Sequence, residues 1–119
     1  MTLGNIEVDT KLNKIGCFIS DHVKTSIGCF IYTGKRIGVS SHIHGYITED
    51  VPSFTIYAKS LIGKSFELHK NSAMETQKRI MERRNITQTS NDKDLLSRIF
   101  KMTQDERYMF GVLKTDFSM

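Results

Sequence analysis

The sequence predicts a mainly β fold with an α-helical tail, namely a left-handed parallel β-helix of about two to three coils followed by two or three helices. Two observations predict it: a repeat of six residues between positions 19 and 48, and a change of composition near residue 60. β-branched, aromatic and glycine residues dominate before that position, and helix-forming residues dominate after it. We therefore expect a hairpin or lead-in segment (1–14), a left-handed β-helix (15–58) and a helical C-terminal extension (59–119).

The repeat is visible when the chain is read in blocks of six from residue 19, as ISDHVK, TSIGCF, IYTGKR, IGVSSH and IHGYIT. Most first positions are isoleucine, and most fifth positions are small or aliphatic. Neither an α-helix nor a simple alternating strand produces this spacing. A short repeat of this kind is typical of a parallel β-helix, in which three blocks close one coil. Stacked coils would place Ile19 over Ile37 and Thr25 over Ile43.

The tail contains apolar residues at helical spacing in two stretches. Residues 65–84 run without glycine or proline and predict one helix, and residues 92–102 predict a second. Thr103 and Glu106 match a capping box, so a third short helix is expected to begin there. Residues 85–91 are polar and connect the first two helices.

Composition excludes several classes of protein. No apolar run is long enough to span a membrane and the N-terminus lacks a secretory pattern, so we expect a soluble, cytoplasmic protein. Cys17 and Cys29 lack the spacing of a metal site and are expected to be buried free thiols. The net charge of +4 lies in the tail, where twelve basic and eight acidic residues follow a balanced first half. We interpret these charges as solvated helix faces and do not expect a nucleic-acid partner.

The run IGCFISDHVKTSIGCFIYTGKRIGVSSHIHGYITEDVP, residues 15–52, resembles the last coils of hexapeptide-repeat domains. It is similar to the C-terminal domain of archaeal sugar-1-phosphate nucleotidylyltransferases, relatives of the bifunctional UDP-N-acetylglucosamine pyrophosphorylase-acetyltransferase. The preceding NIEVDTKLNK resembles the hairpin found before those coils, so the resemblance covers residues 5–58. It implies a trimerising domain that assembles as a homotrimer. The glycine-rich GxGTRLxPLT signature of the nucleotidylyltransferase domain is missing, so we expect no nucleotidylyl transfer.

The resemblance also implies an alternative function, an acyl-CoA-dependent acetyltransferase that acts on an amino sugar phosphate. Gly45 falls where the family lets a small residue approach acetyl-CoA, and Lys59 lies about where a basic residue meets the phosphates of the coenzyme. Ile27 replaces a serine that is common at the matching position. The family's histidine, tyrosine and asparagines for acetyl transfer lie on coils that this chain lacks.

His42 and His44 are the candidate catalytic residues, because a histidine is the usual general base for acyl transfer. The alternative is that both are ordinary surface or interface histidines. Together with His22 they do not match the zinc-ligand spacing of γ-class carbonic anhydrases, and we expect no metal. Lys35 breaks the inward pattern, and we expect it to reach water or to pair with Glu49 or Asp50. A third hypothesis, a basic binding module acting through the tail, is ranked below these two.

Overall fold

The structure is a computed structural model that describes residues 1–3, 6–12 and 15–114. Strands in this part of the chain are two or three residues long, and all of them precede the three longer helices. The strands are β1 (Thr2–Leu3), β2 (Ile6–Glu7), β3 (Phe18–Ile19), β4 (Lys24–Thr25), β5 (Phe30–Ile31), β6 (Arg36–Ile37), β7 (His42–Ile43), β8 (Tyr46–Ile47), β9 (Thr55–Tyr57) and β10 (Ser65–Glu67). The helices are α1 (Lys59–Ile62), α2 (Lys70–Glu82), α3 (Ser90–Met102) and α4 (Gln104–Met109).

Three parallel strand pairs follow one another along the chain, β3 with β6, β4 with β7, and β5 with β8. Ile19 lies beside Ile37 and Thr25 lies beside Ile43, as the six-residue spacing predicts. The offset between paired residues is 18 for these two pairs (37 minus 19, 43 minus 25). It falls to 16 between Ile31 and Ile47.

The predicted left-handed β-helix is wrong. The chain forms a small mixed α/β domain with short strands in several small sheets, none of them closed or solenoid-like. The repeat breaks after Ile43, because the next inward residues follow at intervals of four, at Ile47 and Val51. The offset consequently falls to 14 where β7 meets β9, and β10 then folds back antiparallel on β9. The strands therefore form a four-stranded sheet in the order β10–β9–β7–β4 and three separate two-stranded sheets.

Two apolar cores stabilise the domain. The first lies inside the strand pairs and contains Ile37, Ile43, Ile47, Val51 and Tyr57. The second lies between the four-stranded sheet and helices α2 and α3, and its fully or nearly buried members are Phe54, Leu68, Ala73 and Leu96. Burial of a large aliphatic or aromatic side chain contributes about 1.5–3 kcal/mol, so these two cores are the main source of stability.

Where the strand offset shortens, side-chain oxygens accept hydrogen bonds from backbone amides in place of backbone carbonyls. The amide of Arg36 donates to Asp50 Oδ1 over 2.9 Å, that of Val39 to Ser53 Oγ over 2.9 Å, and that of Tyr46 to Ser60 Oγ over 2.9 Å. These amides face the short turns, where the next strand does not supply a carbonyl. Because an unpaired buried amide is costly, the hydroxyl and carboxylate groups stabilise this side of the strands.

The tail differs from its prediction in two places. Residues 65–67 form β10 instead of the start of a helix, since pairing with β9 buries Ser65 and Phe66. The capping box predicted at Thr103 is also wrong, because the Thr103 hydroxyl donates to Ile99 O over 2.8 Å. Helix α4 nevertheless begins at Gln104, next to the predicted start. A capping box is instead present at the start of α3, where Thr89 and Asp92 bond reciprocally.

Arg107 joins the tail to the strands. Its side chain is 2% exposed, and its guanidinium donates to Glu67 Oε2 over 2.8 Å and to Ser53 O over 3.3 Å. It also donates to Phe100 O over 2.7 Å and to Thr103 Oγ1 over 2.6 Å. The buried arginine thus bonds to groups on three segments, and its charge is balanced by Glu67.

The first segment contains a small antiparallel hairpin. Thr2 lies opposite Glu7 and Leu3 opposite Ile6, while residues 4, 5, 13 and 14 of the predicted lead-in segment lie outside the described residues. The last five residues of the predicted extension, 115–119, also lie outside them. Cys17 is exposed and Cys29 partly buried, so the prediction of two buried thiols is wrong for Cys17. No helix in the described part of the chain is long and apolar enough to cross a bilayer.

Candidate functional site

The two candidate catalytic histidines lie on the same shallow depression. His42 belongs to β7, beside Lys24 on β4 and Ile56 on β9, and His44 follows directly after that strand. The depression has a volume of about 210 Å³ and is open to solvent. It is lined by Lys24, Thr25, Ser26, His42, Ile43 and His44.

The imidazole of His42 is held neutral by its surroundings. Burial lowers its pKa, and the positive charge of Lys24 and the neighbouring His44 lower it further. A neutral imidazole at neutral pH has the protonation state of a general base. However, its Nε2 atom is buried and has no hydrogen-bond partner among the described residues. This nitrogen therefore does not face the depression as an accessible base.

Glycine is required at position 45 because the backbone there lies close to the side chain of Ser60. Its φ of 76° lies in the left-handed region, and a Cβ at this position would collide with Ser60 Oγ. Ser60 occupies this place because its hydroxyl accepts the Tyr46 amide. The space beside Gly45, where the resemblance implied a coenzyme, is thus filled by a serine of the same chain.

Lys59 lies in a second polar cluster, formed with Glu49 and Tyr57. Lys59 Nζ is 2.6 Å from Glu49 Oε1, and the Tyr57 hydroxyl donates to the same oxygen over 3.0 Å. Burial first, and then this hydrogen bond to Glu49, raise the pKa of Tyr57 to about 12. Burial raises the pKa of Glu49, but the bonds from Lys59 and Tyr57 and the charge of Lys35 outweigh it and lower that pKa overall. The ammonium group predicted to meet phosphates is therefore bound to a carboxylate.

Lys35 is partly buried and its charge helps to lower the pKa of Glu49. No ion pair of Lys35 with Glu49 or Asp50 is present among the described residues. His22 lies elsewhere, with its Nε2 at 3.1 Å from Gln77 Nε2 on α2. Within the described ranges, no group of three or more histidine, cysteine, aspartate or glutamate side chains is placed to hold a metal ion.

An exposed apolar surface is the feature that the sequence interpretation missed. Phe30 and Tyr46 stack with ring centroids 5.2 Å apart and planes 15° apart, and each is more than half exposed. Ile27 is fully exposed and Tyr32 is 56% exposed on the same segment as Phe30. We call these four residues the aromatic face. The signal for it was present, since all four are large apolar residues outside the first and fifth positions of the repeat.

The first strand of each parallel pair also lacks a cover. Each of β3, β4 and β5 pairs along one edge only within the described part of the chain. Ile19 on β3 is 53% exposed, whereas Ile37, its partner on β6, is completely buried. We call β3, β4 and β5 the open layer. Ile19 has the chemistry of a core residue and the exposure of a surface residue, while Ile31 on β5 is only partly buried.

Comparison with protein-family models, with curated proteins and with solved structures finds no match to this chain. The functional interpretation therefore depends on the residues and their geometry.

Proposed function

We propose that this protein is a self-associating domain whose role is to hold copies of the chain together as a homotrimer. The observation that carries the proposal is the aromatic face, Ile27, Phe30, Tyr32 and Tyr46. Large apolar side chains that are exposed on a small domain, as the stacked Phe30 and Tyr46 are, typically mark an interaction site. The number of copies is the one implied by the resemblance to trimerising hexapeptide-repeat domains.

The chemistry of the aromatic face suits an interface between protein subunits. Tyrosine and phenylalanine are enriched at the centres of such interfaces, since they bury large areas with few rotatable bonds. The stacking of Phe30 on Tyr46 holds both rings in one orientation before any partner binds. Little side-chain entropy is then lost on association, which favours a specific contact.

The open layer gives independent support for association. Ile19 and Ile31 point to the same interior as the buried Ile37 and Ile47, yet they lie at its uncovered end. Unpaired strand edges with apolar side chains readily pair with another polypeptide. A second copy that covered this end would bury these residues as fully as their partners.

The test is the mass of the protein in solution, measured by light scattering after size exclusion. The intact chain should elute as a trimer at micromolar concentration, and the Phe30→Ser/Tyr46→Ser variant should shift toward the monomer. Tyr108→Ser is the control, because Tyr108 is an even more exposed aromatic residue that lies on α4, outside the aromatic face. A monomeric intact chain, or dissociation caused by the control alone, would contradict the proposal.

An acyl-CoA-dependent acetyltransferase acting on an amino sugar phosphate is the second candidate. One observation favours it: the imidazole of His42 is neutral and lies next to His44 at a solvent-open depression. The contacts made by Gly45 and Lys59 weigh against it, since both proposed coenzyme positions are satisfied within the chain. Thiol release from acetyl-CoA with glucosamine-1-phosphate, abolished in His42→Gln/His44→Gln, would place this function first.

A further inference from the structure

A concavity on the helical tail has no part in the proposed self-association. It has a volume of about 490 Å³ and lies where the start of α2 meets α3 and α4. This volume falls in the range of sites that bind small molecules. The lining residues are Lys70, Asp94, Ser97, Arg98, Phe100, Lys101 and Gln104.

The charge of this concavity is unbalanced. Lys70, Arg98 and Lys101 line it together with a single carboxylate, that of Asp94. No carboxylate in the described part of the chain lies within ion-pair distance of these three cations. Elsewhere in the protein, by contrast, Arg36 and Arg107 are both paired with acidic side chains. Three cations against one carboxylate leave an excess of positive charge in the concavity, which attracts an anion.

We propose that this concavity binds a small phosphate-bearing molecule. Arginine and lysine are the side chains that recognise phosphate, the first through a bidentate fork and the second as a point charge. Ser97 and Gln104 add groups that can donate to further phosphate oxygens, and Asp94 can accept a hydrogen bond from a ligand hydroxyl or amine.

Phe100 gives the site an apolar wall. One side of its ring packs against the Arg107 guanidinium, 4.3 Å from the ring centroid, so the ring is held in place from beneath. A fixed aromatic surface beside three cations suits a ligand that joins a phosphate to a planar or apolar group. Such a ligand gains stacking in addition to its charge, and it should bind more tightly than phosphate groups alone.

The experiment is a calorimetric titration of the full chain with two probes, inorganic pyrophosphate and adenosine diphosphate. Both should bind, the second more tightly, and added salt should weaken both because the cations are exposed. Arg98→Gln/Lys101→Gln should weaken both by on the order of tenfold or more, equivalent to about 1.4 kcal/mol or more. Lys78→Gln/Arg83→Gln is the matched control, since it removes one exposed cation of α2 and one directly after it, neither of which lines the concavity.

Several outcomes would overturn the proposal. One is no binding of either probe at millimolar concentration. A second is equal weakening in both double variants, which would indicate general attraction to a basic surface. A third is a clear preference for a single-stranded oligonucleotide over both probes, which would assign the concavity to a nucleic-acid surface. A thermal melt of each variant separates lost binding from lost folding.

Discussion

The Arg107 guanidinium and the Glu67 carboxylate form an ion pair of 2.8 Å that spans forty residues of sequence and connects α4 to β10. Burial of the arginine is nearly complete, so the pair is shielded from water and from salt. The same guanidinium packs against the rings of Phe54 and Phe100. The helical tail and the strands therefore share a buried polar anchor beside the second core.

Removing one partner of this pair should destabilise the whole domain. Arg107→Met leaves the Glu67 carboxylate without its counter-charge, and breaking a buried pair in this way costs about 3–5 kcal/mol. Urea unfolding should show a lower midpoint and a free energy of unfolding that is smaller by about that amount. Arg83→Met, at an exposed arginine after α2, is the control and should change stability by less than about 0.5 kcal/mol. Equal midpoints for the two variants would contradict the anchoring role of Arg107.

Two glycines with the same backbone conformation should respond differently to alanine. Gly28 and Gly45 have φ values of 77° and 76°, so each alanine variant carries a left-handed penalty of about 1–2 kcal/mol. Only Gly45→Ala also collides with Ser60 Oγ, because nothing surrounds the Cβ position of Gly28. Gly45→Ala should therefore lower the melting temperature more than Gly28→Ala does. In a Ser60→Ala background the difference should disappear, and a difference that persisted would show that the collision is not its cause.

Ile37 and Ile19 are paired across β6 and β3 but differ in burial, which makes them a matched test of the open layer. Ile37→Ala removes a fully buried side chain and should cost about 2–5 kcal/mol in chemical unfolding. Ile19→Ala should cost clearly less in dilute protein. If copies of the chain cover the open layer, the stability cost of Ile19→Ala should rise with protein concentration. An Ile19→Ala cost as large as that of Ile37→Ala in dilute, monomeric protein would contradict the exposure described for Ile19.

Acidification should weaken the domain through His42. Burial, Lys24 and His44 lower its pKa in the folded protein below the unfolded value of about 6.5. A lowered pKa contributes stability that is complete above the unfolded value and is lost as the pH falls through the folded value. Between neutral pH and about pH 5, the melting temperature should fall less in His42→Gln than in the intact chain. NMR titration of the imidazoles checks the cause, and a His42 midpoint at or above 6.5 would disprove it.

The sequence predicted individual strand contacts better than the architecture. The pairing of Ile19 with Ile37 and of Thr25 with Ile43 follows directly from a constant spacing of six. That spacing ends at Ile43, where two successive turns each lose two residues and bring Ile47 and Val51 into the interior. Blocks of fixed length do not reveal turns that are two residues shorter. Ile47 fell on the fifth position of its block, where an aliphatic residue was expected, so the break was not visible. The number of complete repeats was therefore overestimated.

The candidate site, like the fold, was predicted from the sequence only in part. The structure places His42 and His44 on one depression, but it places Gly45 against Ser60 and Lys59 against Glu49. Those contacts depend on side chains ten to fifteen residues away, and no local pattern reveals them. The burial of Arg107 could not be predicted either, because nothing in the sequence distinguishes this arginine from the exposed charged residues of the tail. The aromatic face could have been recognised from its apolar residues at outward positions.

The two ends of the strand pairs differ in whether they can pair with a further polypeptide. At one end, β3, β4 and β5 offer unpaired edges that could accept a further polypeptide. At the other, the Asp50, Ser53 and Ser60 side chains already bond the amides of Arg36, Val39 and Tyr46, and β10 closes the sheet beyond β9. In a closed ring of copies, each covering the receptive end of the next, no receptive end stays exposed. Assembly by this route stops at a defined particle, and the chain is protected from elongating into a fibre.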